Sequence, residues 1–237
     1  MQQTSNEPTG DWQQSVQIPS GGARLEGELS IPHQASGLVL FAHGSGSSRH
    51  SPRNQYVARV IREAGIGTLL FDLLTAEEES VDIYTRHLRF DISLLADRLA
   101  DAVRWLESEQ AFPGRRMNLR PGFFGASTGG GAALVAAARL GEKIGAVVSR
   151  GGRPDLAGAA LPQVTAPTLL IVGGRDEPVI ELNEAAFAQL QCEKELKIIP
   201  GATHLFEEPG ALEAVARLAA DWFRAQLQPH QFSKTSI

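Results

Sequence analysis

Ser127 stands at the centre of Gly125-Ala126-Ser127-Thr128-Gly129, directly after the apolar run Gly122 to Phe124 and directly before the Gly/Ala-rich stretch Gly130 to Leu140. An apolar run followed at once by such a stretch reads as a buried strand that turns into a helix within a few residues, with a serine at the bend. The turn holds the serine backbone in a strained conformation and leaves no room for side chains at the flanking glycines. The helix that starts there aims its first free N–H groups, and the positive end of its dipole, at whatever the hydroxyl meets. A glycine-rich phosphate loop is the other reading of such a turn, and the lysine that loop requires is absent. Ser127 is therefore a candidate nucleophile.

The rest of the chain supplies a frame for that bend. Leu38 to Ala42, Gly67 to Phe71, Gly122 to Phe124, Ala146 to Ser149, Thr168 to Val172 and Leu196 to Ile199 are short, nearly continuous apolar runs, as expected of parallel strands buried on both faces. Between them lie helical stretches at Asn54 to Ala64, Phe90 to Glu109, Thr128 to Leu140, Ile180 to Leu190 and Ala211 to Gln226. In the second of these, Ile92, Leu95, Leu99, Val103 and Leu106 form an apolar stripe, while Asp91, Arg98, Asp101 and Arg104 are expected to face elsewhere. Ser15 to Ile18 and Leu25 to Ile31 flank Ser20-Gly21-Gly22 and read as an antiparallel pair at the sheet edge. The expectation is an α/β fold: eight mostly parallel strands with helices on both faces. Pro121 cannot donate within a central ladder, so the third parallel strand is expected to start at Gly122.

A chain of 237 residues, 43% hydrophobic, can bury one large core. The expected organisation is a polar tail over residues 1–12, one domain over 13–227 and a second polar tail over 228–237. A net charge of −5 gives no general attraction for nucleic acid or anionic membrane, so neither is expected as a partner. The single cysteine, Cys192, cannot form an intramolecular disulfide, and the first residues lack a basic start and an apolar core, which reads as a cytoplasmic protein. Monomer and homodimer both remain open.

A serine of ordinary acidity needs a base to take its proton and an acid to hold that base in the right tautomer. Parallel strands end on one edge, where ligands bind, and in a fold of this order the acid and the histidine follow the serine. Only His204 and His230 follow Ser127; His230 belongs to the polar tail, whereas His204 lies in the loop leaving the last strand. Asp176, in the loop leaving the adjacent strand, is the choice of acid, with Glu177, Asp155 and Asp72 as rivals. An oxyanion would rest on the backbone N–H of Thr128 and on that of Ser45, in the glycine-containing loop His43 to Ser48. His43 itself is expected to bond to loop backbone rather than to take part in chemistry.

His43-Gly44, Gly125 to Gly129, Gly173 to Asp176 and Gly201 to His204 together resemble the α/β-hydrolase superfamily along almost the whole chain, and within it the small, capless dienelactone-hydrolase-like group. The resemblance implies an α/β-hydrolase fold, a triad of Ser127, Asp176 and His204, and no metal or organic cofactor. Dienelactone hydrolases proper carry a cysteine at the bend, where this chain has a serine. Only Arg150 to Thr165 separates the strands between which many relatives insert a cap, so no cap domain is expected. The function these features imply is cleavage of small carboxylic esters or lactones through an acyl-enzyme. A ligand receptor built on the same scaffold, or transfer of the acyl group to an acceptor other than water, are the alternatives.

Arg49, Arg53, Arg86, Arg89, Arg150 and Arg153 all fall in or beside loops of the expected catalytic edge. Two readings apply. Arg150 and Arg49 first among them could hold an anionic group of the substrate through their planar forks. Alternatively, the arginines form salt bridges with Asp72, Asp82, Asp91 and Asp155.

Overall fold

The structure is a computed structural model that describes residues 11–108, 110–113 and 117–228. His230 and nearly all of both expected tails lie outside these residues. The strands are β1 (Trp12–Ser20), β2 (Ala23–Ile31), β3 (Gly37–Ala42), β4 (Gly67–Phe71), β5 (Arg120–Ala126), β6 (Ala146–Arg150), β7 (Thr168–Gly173) and β8 (Lys194–Ile199). The helices are α1 (Pro52–Glu63), α2 (Ala76–Thr85), α3 (Ile92–Leu106), α4 (Thr128–Leu140), α5 (Glu177–Gln189) and α6 (Ala211–Gln226), with short 3-10 segments between some of them. Trp12, the first residue of β1, pairs with Ile31.

All eight strands form one sheet in the order β1-β2-β4-β3-β5-β6-β7-β8. The β1/β2 hairpin is antiparallel and β2 joins β4 antiparallel, whereas β4, β3, β5, β6, β7 and β8 run parallel. Every residue of β3, β4, β6 and β7 is buried, which is why these strands read as unbroken apolar runs. β8 carries Lys194, Glu195 and Lys197 at the free edge, where charge opposes pairing with another chain.

Helices α3, α4 and α5 cover one face, with Phe123, Val147 and Leu170 beneath them; α1 and α6 cover the other, with Phe124, Val148 and Ile171. The site lies at the edge where the parallel strands end, because each connection from strand to helix turns over there. No cap domain intervenes: Pro154–Gln163 between β6 and β7 is a kinked 3-10 segment packed on α4 and α5.

The structure departs from, or adds to, what the pattern of residues announces in three places. β5 begins at Arg120 and includes Pro121; β6 joins it only from Gly122 onward, so the missing proline N–H falls where the ladder is incomplete. Residues 76–85 form a helix that apolar periodicity did not announce; Thr75 and Glu78 close a capping box at its start. Arg98, expected to lie off the apolar stripe of α3, is buried, donating to the Leu73 carbonyl and to Glu78 Oε1 at 2.5 Å, so it fastens α2 to the body.

Candidate active site

Ser127 has φ 51° and ψ −123°, a conformation that non-glycine residues rarely adopt and that lifts its side chain clear of the sheet edge. A methyl group on Gly129 would stand 2.1 Å from the Ala42 carbonyl oxygen, so α4 can start this close to β3 only with glycine there. The bend is clasped to the loop after β6: Ser127 N–H donates to the Arg150 carbonyl at 3.3 Å, and the Ser127 carbonyl accepts from Arg153 N–H at 3.0 Å and Gly130 N–H at 2.9 Å.

The loops after β7 and β8 are stitched together by Gly174 N–H to Ile199 O at 2.8 Å and Arg175 N–H to Ala202 O at 2.9 Å. Gly173 permits this, since a side chain there would meet the Ala202 oxygen at 2.5 Å. The stitching brings Asp176 to His204. Asp176 occupies the N-cap position of α5 but makes no side-chain cap bond. Its Oδ2 instead lies 2.6 Å from Nδ1 of His204, so Nδ1–H donates to the carboxylate and Nε2 is left as the acceptor nitrogen. Of the rivals, Asp155 forms a bidentate pair with Arg153 at 2.7 and 2.8 Å, and Asp72 is taken by Arg49. Glu177 is the first residue of α5.

The His204 ring sits beside the bend. A methyl group on Gly151 would lie 3.5 Å from its Cε1, and Gly151 directly follows Arg150, whose carbonyl holds the Ser127 N–H. His204 Nε2 and the Ser127 hydroxyl make no hydrogen bond to each other.

On the other side of the bend runs the loop after β3. A methyl group on Gly44 would stand 3.1 Å from Ser127 Cβ. Ser45 N–H donates to Thr128 Oγ1 at 3.0 Å, which places the two expected oxyanion donors side by side. The N–H of Thr128 belongs to the first turn of α4 and has no acceptor within the helix. His43 braces this loop from below: Nδ1–H donates to Gly44 O at 3.0 Å and Nε2 accepts from Leu73 N–H at 2.9 Å. Burial pushes its pKa below the ordinary histidine value, partly offset by the Gly44 bond, so it is a neutral structural histidine. A small recess opens next to the loop, lined by Ser45, Thr128, Leu73, Asp82 and Arg89 among others.

The arginines divide. Arg49 donates to Asp72 and, at 2.7 Å, to Glu26 Oε2, so it is engaged in a structural ion-pair network and is not free to meet a substrate. Arg89 meets the buried Asp82 at 2.5 Å, and Arg153 meets Asp155. Arg86 caps α2 in a left-handed conformation. Asp91, one of the expected salt-bridge partners, instead caps α3 by accepting from Leu94 N–H at 3.0 Å. Arg150, unlike Arg49, has no carboxylate partner among the described residues and is buried at the end of β6.

Sequence reasoning did not single out Phe206 or Asn183. Phe206 is fully buried with φ 56°, and its ring lies under Gly151 and beside Arg150. Buried Asn183 on α5 donates to the Gly152 carbonyl at 3.0 Å and so pins the loop that holds the bend. No local pattern marks either residue, since both act through contacts across loops. Among the described residues no group of three His, Cys, Asp or Glu side chains could hold a metal ion, and no helix is long and apolar enough to cross a membrane.

Comparison with known proteins bears on the family and the fold. Residues 52–231 match the family described as the dienelactone hydrolase family. A dienelactone hydrolase from Anabaena variabilis is 60% identical, with a TM-score of 0.87 over 92% of this chain and 100% of that one. A cold-adapted esterase from an Arctic intertidal metagenomic library superimposes with a TM-score of 0.72 at 18% identity, over 96% of this chain and 100% of its own, a likeness of fold alone. A Mycobacterium tuberculosis protein, provisionally named a phosphoribosyl transferase, is 57% identical over 210 residues, 89% of this chain but 46% of its own length. The chain thus spans about half the length of the curated relatives it matches.

Proposed function

Because the chain belongs to the dienelactone hydrolase family, we propose that it is a serine hydrolase acting on small carboxylic esters or lactones. Ser127 is the nucleophile, His204 the general base and then acid, and Asp176 the group that orients it. The observation that carries this reading is the strained Ser127 at the start of α4, beside an imidazole whose Nδ1 is held by Asp176 at 2.6 Å.

In the proposed reaction the substrate carbonyl settles between Ser127 and the loop after β3. The Ser127 hydroxyl gives its proton to His204 Nε2 and attacks the carbonyl carbon. This contact needs a small movement of the ring or hydroxyl, since such bonds commonly tighten only in the substrate complex. The oxyanion accepts from Thr128 N–H and from Ser45 N–H, the latter exchanging Thr128 Oγ1 for the substrate oxygen. His204 then protonates the leaving alcohol, and water, activated by the same nitrogen, releases the acid and restores the serine. With only a 3-10 segment where relatives insert a cap, the site suits short acyl groups rather than long chains that need an enclosed tunnel.

The test is labelling by a fluorophosphonate probe. Wild-type protein should be labelled, Ser127→Ala should not, and short p-nitrophenyl esters should be cleaved faster than long ones. Folded wild-type protein that takes no label would overturn the reading in favour of a ligand receptor.

A further inference from the structure

Among the described residues, four that are not glycine have left-handed φ: Gln34, Arg86, Ser127 and Phe206. Gln34 and Arg86 are exposed, Ser127 is at the bend, and only Phe206 is fully buried. A side chain in that region is strained and persists where its surroundings over-determine it. Phe206 stands two residues beyond His204 in the loop after β8, and its N–H donates to the Thr203 carbonyl at 3.2 Å, so the chain turns tightly around the imidazole.

The turn places the Phe206 ring against the segment that holds the bend. A methyl group on Gly151 would meet Phe206 Cε2 at 3.4 Å, the His204 carbonyl oxygen at 3.2 Å and the His204 ring at 3.5 Å. Gly151 is itself fixed, with φ 50° and its N–H donating to the Ile171 carbonyl at 2.7 Å. Arg150, just before it, reaches the site in two ways. Its carbonyl accepts from Ser127 N–H at 3.3 Å, and its buried side chain, with no acceptor for Nε or Nη1, lies over the Phe206 ring with Cζ 5.8 Å from the centroid. Burial first, and Arg53 second, lower its pKa to about 10, so it is a cation at neutral pH. Arg49, Arg89 and Arg153, at the same edge, each hold a carboxylate, whereas here an aromatic face takes that place.

The bond from Asp176 at 2.6 Å fixes which way the imidazole faces, but not how far Nε2 stands from Ser127. That distance depends on how the loop carrying His204 is joined to residues 150 and 151. We propose that the Phe206 ring, held between Gly151 and the Arg150 guanidinium, sets the reach from His204 Nε2 to the Ser127 hydroxyl, making Phe206 and Arg150 positioning residues for the proton transfer. The inference rests on the hydrolase reading and assigns neither residue a contact with substrate.

The experiment titrates Ser127 to completion with a fluorophosphonate, which counts competent sites, and then measures the labelling rate and, per titrated site, kcat and KM for a short p-nitrophenyl ester. Phe206→Leu keeps an apolar filler but no ring. It should lower kcat and labelling rate by about 10²-fold, as a misplacement of about 1 Å does, with KM within about threefold of wild type. Arg150→Met should lower both by about tenfold, and Arg150→Lys, which keeps a cation over the ring, should stay within about threefold of wild type. The double variant Phe206→Leu/Arg150→Met should lose no more than Phe206→Leu alone, because either change opens the same clamp. A purely structural role would instead reduce the number of titrated sites and the urea midpoint while leaving kcat per site unchanged.

Variants that keep wild-type kcat per site, that raise KM at unchanged kcat, or that lose activity additively in the double variant overturn the clamp. Wild type that is still labelled and still cleaves the ester then leaves the hydrolase reading intact. Wild type that takes no label overturns both. Should Phe206→Leu not fold, Arg150→Met and Arg150→Lys decide, since they leave the left-handed backbone of Phe206 untouched.

Discussion

Replacing Asp176 by Asn tests the triad at the one contact the structure closes. The carboxylate lies 2.6 Å from His204 Nδ1 and serves no cap of α5, so its loss should be felt by the histidine and little else. An asparagine amide in the same place can turn its NH₂ toward Nδ1, which favours the tautomer with the proton on Nε2. That is the nitrogen that has to accept the Ser127 proton. The variant also loses the negative charge that would stabilise the imidazolium formed during attack. In a triad the two effects together cost a factor of about 10⁴ in kcat, or about 5.4 kcal/mol at 1.36 kcal/mol per tenfold. Because Asn matches Asp in shape and can still bond to the ring, unfolding in urea should shift by no more than about 1 kcal/mol. The assay is hydrolysis of a short p-nitrophenyl ester, with Asp155→Asn and Asp72→Asn as controls whose partners are Arg153 and Arg49. A folded Asp176→Asn enzyme retaining more than about a tenth of wild-type activity would refute the assignment. A loss of about 10⁴ in Asp155→Asn instead would transfer the role to that residue.

Two further outcomes follow from the frame around the bend. Gly129→Ala places a methyl group 2.1 Å from the Ala42 oxygen, where backbone on both sides must move; it should cost about 3 kcal/mol or more in urea unfolding, and a change under about 1 kcal/mol would show the bend to be looser than described. His43 is held neutral by burial, with its pKa below the ordinary value, so the unfolded chain takes up a proton as pH falls through about 6.5 while the folded chain does not. Stability contributed by neutral His43 is thus full above about pH 6.5 and declines below it; His43→Gln should be less stable at neutral pH and should lose less on acidification from about pH 7 to 5, and parallel declines in the two proteins would contradict the argument.

The parts of this molecule that can be read from the chain are those whose signal is local. β3, β4, β6 and β7 are buried on both faces, so each had to be an apolar run, and the bend at Ser127 had to be flanked by glycine because the clash it avoids involves backbone nearby in the fold. Helix α2 had no such signal. Val81, Ile83 and Tyr84 are exposed and Glu77 to Glu79 look like a solvated run, because what fastens α2 is polar: Glu78 pairs with Arg98 from α3, and the buried Asp82 pairs with Arg89. The two arginines named together as candidate anion binders show the same limit more sharply. Arg49 and Arg150 have the same chemistry, and both lie at the ends of strands or in the loops beyond them. What separates them is reach: Arg49 finds Glu26 on β2 and Asp72 after β4, partners 23 residues away on either side. For Arg150 a local signal did exist in the parity of β6. Side chains alternate across a sheet, so residue 150 continues the face of Ala146 and Val148, which is packed under α1 and α6. A guanidinium on that face had to be buried, and β6 offers no acid beside it, since its remaining residues are Ala146, Val147, Val148 and Ser149. Its partners therefore had to come from other elements, and those that meet it are the Phe206 ring, 5.8 Å from Cζ, and a second cation, Arg53.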